Sequence, residues 1–400
     1  MRIGIDIYTT LALAAAALVI GRLLVARVHF LAAYSIPDAV VGGMLYAAIL
    51  TLLRGVGGVE VSFDPALLTP LNVAFFTTVG LSADARMLAK GGRVLLIFFC
   101  VVAGSLVMQD AIGVLLARAF DIHPLNGLLA GSITLAGGHG TGAAWAGKFA
   151  EEWNLRGAFE LAVATATFGL VVGGLLGGPF AGWLMRRHAL TGGAAPQAPA
   201  TPQAAVGEEQ VSLNALIESL LLIFASMAAG LALYRLLGKG AFTLPSFIWA
   251  LLVGAVLRNV LSFSGLYRVS DRAVELLGEI SLSLFLSMII MTLKLWELVD
   301  LAGPVLVILV AQTVAMLAYV RFVTFRVMGG NYDAVLLATG HLGFAMGSTA
   351  TAMVNVQSVA QRFGYSQLAF LLVPVMGAFL IDLANALTIQ GFLALPWFNW

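Results

Sequence analysis

The chain has 400 residues, 60% of them hydrophobic and only 10% charged, with a formal net charge of +1 at pH 7. An ordinary soluble domain carries roughly 25% charged residues, so this composition excludes one, and the balanced charge carries no nucleic-acid signature. Cys100 is the single cysteine, which excludes an internal disulfide and a multi-cysteine metal site.

Apolar runs of about 20 residues recur along the chain, the length an α-helix needs to cross about 30 Å of hydrocarbon, whereas outer-membrane strands would alternate in character over about ten. The expected fold is an all-α polytopic membrane protein. The first run, 8–28, follows Arg2 and is rich in alanine, as a cleaved leader would be. Its counterpart at 212–237 lies mid-chain and cannot be a leader, so both are read as true spans. Further spans are expected at 36–53, 69–85, 94–118 and 158–184, then at 244–260, 276–295, 304–322 and 365–390. That makes five in each half.

The two halves echo each other at a nearly constant offset of 208 residues: Arg27 answers to Arg235, Pro37 to Pro245, Thr141 to Thr349 and Gly169 to Gly377. An odd number of spans per half turns the second half upside down relative to the first, the inverted-repeat plan of secondary transporters, whose substrate sites lie between the repeats near the bilayer midplane. The expected units are an N-terminal repeat over 1–190, a linker over 191–210 and a C-terminal inverted repeat over 211–400. The linker is rich in Ala, Pro, Gln and Gly and too polar to build a core. Arg186 and Arg187 just before it suit a cytoplasmic side, which places both chain ends outside, with a modest excess of Lys and Arg inside.

Between the fourth and fifth span of each half lies one more apolar segment, 126–148 and 333–355, interrupted by small residues. Each is read as a re-entrant hairpin. Five glycines fall between Gly131 and Gly142, and each would cost a continuous helix about 1 kcal/mol relative to alanine. Two short arms meeting at an extended tip, Gly137, Gly138, His139, Gly140, Thr141 and Gly142, are expected instead. In the second segment Gly347, Ser348 and Thr349 align with His139, Gly140 and Thr141. Backbone outside helical geometry is tolerated at that depth only where it is buried in protein or lines a watery cavity. Such tips would offer free N–H groups to an anion, and carbonyls and hydroxyls to a cation.

Few ionisable residues fall inside the spans. Asp382 lies deep in the last one with Asn385 three residues on, on the same helical face, and a carboxylate there suits an ammonium or a sodium ion. Asp110, beside Gln109, and Arg22 also sit within spans, and function and structural pairing both remain open for them. His139 could donate to a substrate carboxylate or be satisfied by a neighbouring carbonyl. His341 is read as structural. No His or Glu spacing suits a transition metal.

The run Gly137-Gly138-His139-Gly140-Thr141-Gly142-Ala143-Ala144-Trp145, the partner Gly347-Ser348-Thr349-Ala350-Thr351-Ala352, the early Ile36-Pro37-Asp38 and the late Gly377-Ala378-Phe379-Leu380-Ile381-Asp382 resemble the bacterial sodium/glutamate symporters over essentially the whole chain. The resemblance implies sodium-coupled glutamate uptake across the bacterial inner membrane by a homodimer, in which a mobile unit carrying the hairpins moves beside a static scaffold. It implies no cofactor beyond the coupling ion. Thr141, Ser348, Thr349 and Asp382 are the expected sodium ligands. Citrate-type carboxylate carriers share the architecture, so a carrier of aspartate or a dicarboxylate is the alternative substrate reading. An intramembrane enzyme built on Thr141 and His139 would leave the second segment without a role, and a channel, whose filter re-entrant loops can also build, would show currents without saturable, coupled uptake.

Overall fold

The computed structural model describes residues 2–34, 36–58, 60–190, 192, 211–237, 244–298 and 301–395. Apart from Gly192, the linker expected over 191–210 lies outside the described residues.

Helices build the molecule. In the first half they are α1 (Ile7–Arg27), the short α2 (His29–Ala33), α3 (Asp38–Gly57), α4 (Leu68–Leu81) and α5 (Ala85–Ala119). These are followed by α6 (Pro124–Leu128), α7 (Gly138–Trp153) and α8 (Ala158–Arg187). The second half contains α9 (Leu213–Leu237), α10 (Ser246–Ser264), α11 (Asp271–Ile290), α12 (Ala302–Val327), α13 (Tyr332–Ala345), α14 (Thr349–Phe363), α15 (Gln367–Val375) and α16 (Ile381–Leu393). Polar residues set several starts: Asp6 accepts from the amides of Tyr8 and Thr9 at 2.9 and 3.2 Å, satisfying donors that the first turn leaves free.

Eight helices among the described residues are long and apolar enough to cross a membrane: α1, α3, α5, α8, α9, α10, α11 and α12. The other two expected spans differ. Helix α4 has 14 residues, or about 21 Å at 1.5 Å per residue, short of the hydrocarbon thickness. The last span is divided into α15 and α16 by a π-turn over Met376–Leu380, directly after Pro374. Similar π-turns occupy Leu129–Ile133 and Val320–Thr324. A feature not anticipated from the sequence is a two-stranded parallel sheet, β1 (Arg2–Ile5) against β2 (Glu60–Phe63), with Arg2 opposite Glu60.

The helices segregate into two packed groups. Helices α1, α3, α4, α9, α10 and α11 pack on one another, while α5 to α8 pack with α12 to α16. Within the first group α4 and α10 approach so closely that a Cβ on Gly80 would overlap the carbonyl of Leu251, the kind of contact small residues permit between membrane helices. The second group holds the main apolar core, with Phe98, Trp145, Phe149 and Phe344 fully buried. Outward-facing Leu52, Leu221 and Phe224 are 67%, 67% and 59% exposed, which fits lipid as the surrounding solvent. Helix α5 links the groups and bends at Gly92, whose φ of 52° and ψ of −146° leave helical space.

Candidate functional site

Two interrupted segments in the second group form the candidate site. In the first, a helical stretch ends after Leu135, Ala136 and Gly137 turn, and α7 begins at Gly138. Gly138 has a φ of +65°, a backbone conformation that only glycine adopts without strain. In the second segment α13 ends at Ala345, Met346 and Gly347 turn, and Ser348 caps α14 by accepting from the amide of Thr351 at 3.2 Å. The breaks are thus shorter than the extended tip expected from the glycine run. His139, Gly140, Thr141 and Gly142 lie in the first turns of α7 because the start of a helix tolerates glycine where its interior does not.

The two breaks meet. A Cβ on Gly138 would lie 3.5 Å from the carbonyl oxygen of Gly347, and one on Gly347 would lie 3.4 Å from Cα of Leu170 in α8. Two helix N-termini therefore converge inside the protein, and the first amides of each helix have no partner within that helix. The positive end of each helix dipole points into the same small volume.

The side chains singled out from the sequence fall into distinct settings. His139 and Thr141 are buried, and the His139 ring nitrogen Nε2 lies 3.0 Å from the Thr167 hydroxyl of α8. Gly140 faces the first helix group, where a Cβ would sit 3.0 Å from both Leu282 of α11 and Phe75 of α4. Gly142 packs on Thr134 and Ala162, and Gly137 on Thr141. The Thr349 hydroxyl donates to the Gly377 carbonyl at 2.6 Å, joining the second break to the π-turn that precedes α16. Asp382 is half-buried, and among the described residues its carboxylate makes no hydrogen bond or ion pair. Asn385 is fully buried and bonds Ser132, whose hydroxyl donates to its Oδ1 at 2.5 Å. The geometry joins Ser348, Thr349 and Asn385 to the breaks but, among the described residues, gives Asp382 no hydrogen-bond or charged partner.

The sequence did not single out Ser132, Gln312, Phe75 or Leu282. A hydroxyl or amide in an otherwise apolar run was the available signal for the first two. The phenylalanine and leucine carried none, since apolar residues in spans are ordinary. His341, read as structural, is fully buried between the hydroxyls of Ser105 and Thr324 at 3.0 and 2.9 Å.

Space for a solute lies along α7, toward its far end from the breaks. A cavity of about 720 Å³ opens where β2, the α7–α8 turn and the end of α11 meet, and Asp64, Arg156, Glu160, Lys294 and Glu297 line it. A second cavity, of about 180 Å³, runs along Ala143, Ala144 and Gly147 of α7 and shares Leu68 and Phe159 with the first. Gly140 lies one turn further along the helix, under Phe75 and Leu282. Two cavities with shared walls thus follow α7 from a polar vestibule at its C-terminal end as far as Ala143, and Phe75 and Leu282 cover Gly140 beyond them. At the vestibule rim the groups are tied together: Glu160 accepts from the amide of Lys294 at 2.6 Å, and Glu297 from that of Gly157 at 3.0 Å.

Comparison with known proteins agrees with this organisation. Residues 3–365 match the family model described as sodium/glutamate symporter. The chain is 51% identical to the sodium/glutamate symporter of Escherichia coli (strain K12) over 398 residues, covering 98% of this chain and 99% of that protein. It is 43% identical to the sodium/glutamate symporter of Haemophilus influenzae over 385 residues, covering 95% of each. The chain belongs to the sodium/glutamate symporter family.

Proposed function

We propose that this protein carries glutamate together with sodium across the bacterial inner membrane by alternating access. The observation that carries the reading is the convergence of two helix N-termini at Gly138 and Gly347, where free amides and helix dipoles can hold a carboxylate away from water. Gly137 to Gly142 and Gly347 to Thr349 form the substrate cradle, with Asp382 and Asn385 on the last helix. Thr141, Ser348, Thr349 and Asp382 supply oxygen for sodium. The breaks act as the tips of two re-entrant hairpins that belong to inverted repeats, and two copies of the chain assemble through the first helix group.

Charge makes the coupling necessary. Glutamate bears a net negative charge, so bringing it into a cell that is negative inside costs about 2.3 kcal/mol per 100 mV. One sodium ion cancels that cost, and each further ion adds driving force. The second helix group, with both breaks, moves past the first and bends at Gly92. Phe75 and Leu282 leave Gly140 as it does so.

Uptake of labelled glutamate by proteoliposomes, with sodium and proton gradients imposed separately, tests the proposal. Accumulation is expected with a sodium gradient alone. Uptake driven equally by a proton gradient without sodium would refute the coupling, and stronger competition by aspartate or a dicarboxylate than by glutamate would reassign the substrate.

A further inference from the structure

Asp110 in α5 is fully buried, and among the described residues no cation pairs with it. Its Oδ1 accepts from the backbone amide of Ser132 at 2.9 Å, while Oδ2 has no partner. A buried carboxylate so placed needs a counter-charge. A proton on Oδ2 would satisfy at most one further acceptor, whereas a bare cation takes several oxygens at once.

Other buried oxygens without partners lie on its neighbours in sequence and packing. Gln109 Oε1 and Gln312 Oε1 are buried without partners, and the Gln312 amide is held in place by donating to the Gln109 carbonyl at 2.6 Å. That carbonyl and the Asp110 carboxylate close on Gly131, where a Cβ would lie 3.2 Å from the one and 2.8 Å from the other. Gly131 departs from helical geometry inside the π-turn, with φ −102° and ψ −137°. Oxygen atoms thus gather beside one full negative charge, the donor type that a hard cation takes.

We propose that Asp110, with the Gln109 and Gln312 oxygens around Gly131, binds a sodium ion separate from the one at the hairpin tips; this rests on the proposed sodium-coupled function. The site reaches both breaks. The Gln109 side-chain amide donates to the Ala345 carbonyl at 2.9 Å, at the last turn of α13 before the second break. Ser132 is bonded to Asn385 of α16. An ion at Asp110 therefore firms the supports of both helix N-termini, and occupancy of the ion and of the substrate reinforce each other by the same factor.

The test is a sodium titration of glutamate binding by wild type and Asp110→Asn, which keeps shape and removes charge, with size-exclusion behaviour reporting folding. Wild type is expected to bind glutamate with a steep dependence on sodium. The Asn variant is expected to bind at saturating sodium with a lower Hill slope and an apparent sodium affinity weaker by about tenfold or more. A wild-type protein indifferent to sodium would overturn both the function and this site. A sodium-dependent wild type with an identical Asn titration would overturn the Asp110 site alone. A variant that loses only pH dependence would reassign Asp110 to a proton and likewise overturn it. Should Asp110→Asn fail to fold, Gly131→Ala fills the same space and is expected to weaken sodium affinity in the same direction; an unchanged titration there would also overturn the site.

Discussion

Ser132 and Asn385 hold each other by two hydrogen bonds across 253 positions of sequence: the hydroxyl donates to Asn385 Oδ1 at 2.5 Å, and Asn385 Nδ2 donates back to the Ser132 carbonyl at 3.0 Å. Both residues are fully buried. The pair locks the π-turn before the first break to the last helix.

Removing one partner leaves a buried polar group unsatisfied, at a cost of about 1–3 kcal/mol. Asn385→Ala and Ser132→Ala are each expected to lower the unfolding midpoint in detergent. The double variant is expected to be less destabilised than the sum of the singles, by a coupling of about 0.5–3 kcal/mol. Additive single effects would show that the two side chains do not act as a unit.

Gly140 has room for little more than hydrogen, since a Cβ would sit 3.0 Å from Leu282 and Phe75. Gly140→Ala is expected to retain part of the uptake as those side chains give way. Gly140→Leu is expected to abolish uptake while the protein remains folded and inserted, because the added atoms wedge between the helix groups. Full transport by the Leu variant, measured in proteoliposomes, would place the moving interface elsewhere.

Asp382 is expected to act through its charge. Asp382→Asn is expected to reduce the apparent sodium affinity of glutamate uptake by about tenfold, the equivalent of about 1.4 kcal/mol, before thermal stability changes. An unchanged sodium dependence in the uptake assay would remove Asp382 from the sodium ligands and leave Thr141, Ser348 and Thr349.

His123 caps α6 outside the spans, accepting from the Leu125 amide at 3.2 Å through Nδ1. Burial pushes its imidazole below the ordinary value of 6.5. The unfolded chain therefore binds this proton more readily than the folded one, so the contribution is present above pH 6.5 and fades as pH falls below it. His123→Asn, which keeps an acceptor without titrating in this range, is expected to flatten the loss of stability below pH 6.5 in thermal unfolding. An identical acid profile would show that His123 does not contribute to it.

Much of this fold was readable because a bilayer imposes a coarse rule, one long apolar run per crossing, and α1, α3, α5 and α8 to α12 obey it. Helix α4 escaped the rule by being short, and the last span by breaking at Pro374 and the following π-turn. The strands β1 and β2 were invisible because four residues each carry no periodicity. At the candidate site, the glycine run and Ser348 fall where the two helices are interrupted, since a helix interior has little use for glycine and a serine suits a helix start. The extent of the first break was misjudged because glycine count alone does not separate an extended tip from a helix start. The Ser132–Asn385 lock and the cover of Phe75 and Leu282 depend on which helices become neighbours, and nothing local to those residues records it.

The two helix groups meet with a particular distribution of chemistry. At the vestibule rim the ties are polar, through Glu160 and Glu297. Further in, Phe75 and Leu282 lie over Gly140, and Trp145 meets Phe247 edge to face with ring centroids 6.0 Å apart. A crevice that opens there offers water little besides the indole N–H of Trp145, whereas hydrocarbon tails can fill it. Acyl-chain length and unsaturation are thereby expected to tune the rate of turnover with little effect on glutamate affinity, so that the surrounding lipid acts as a lubricant of the moving surface.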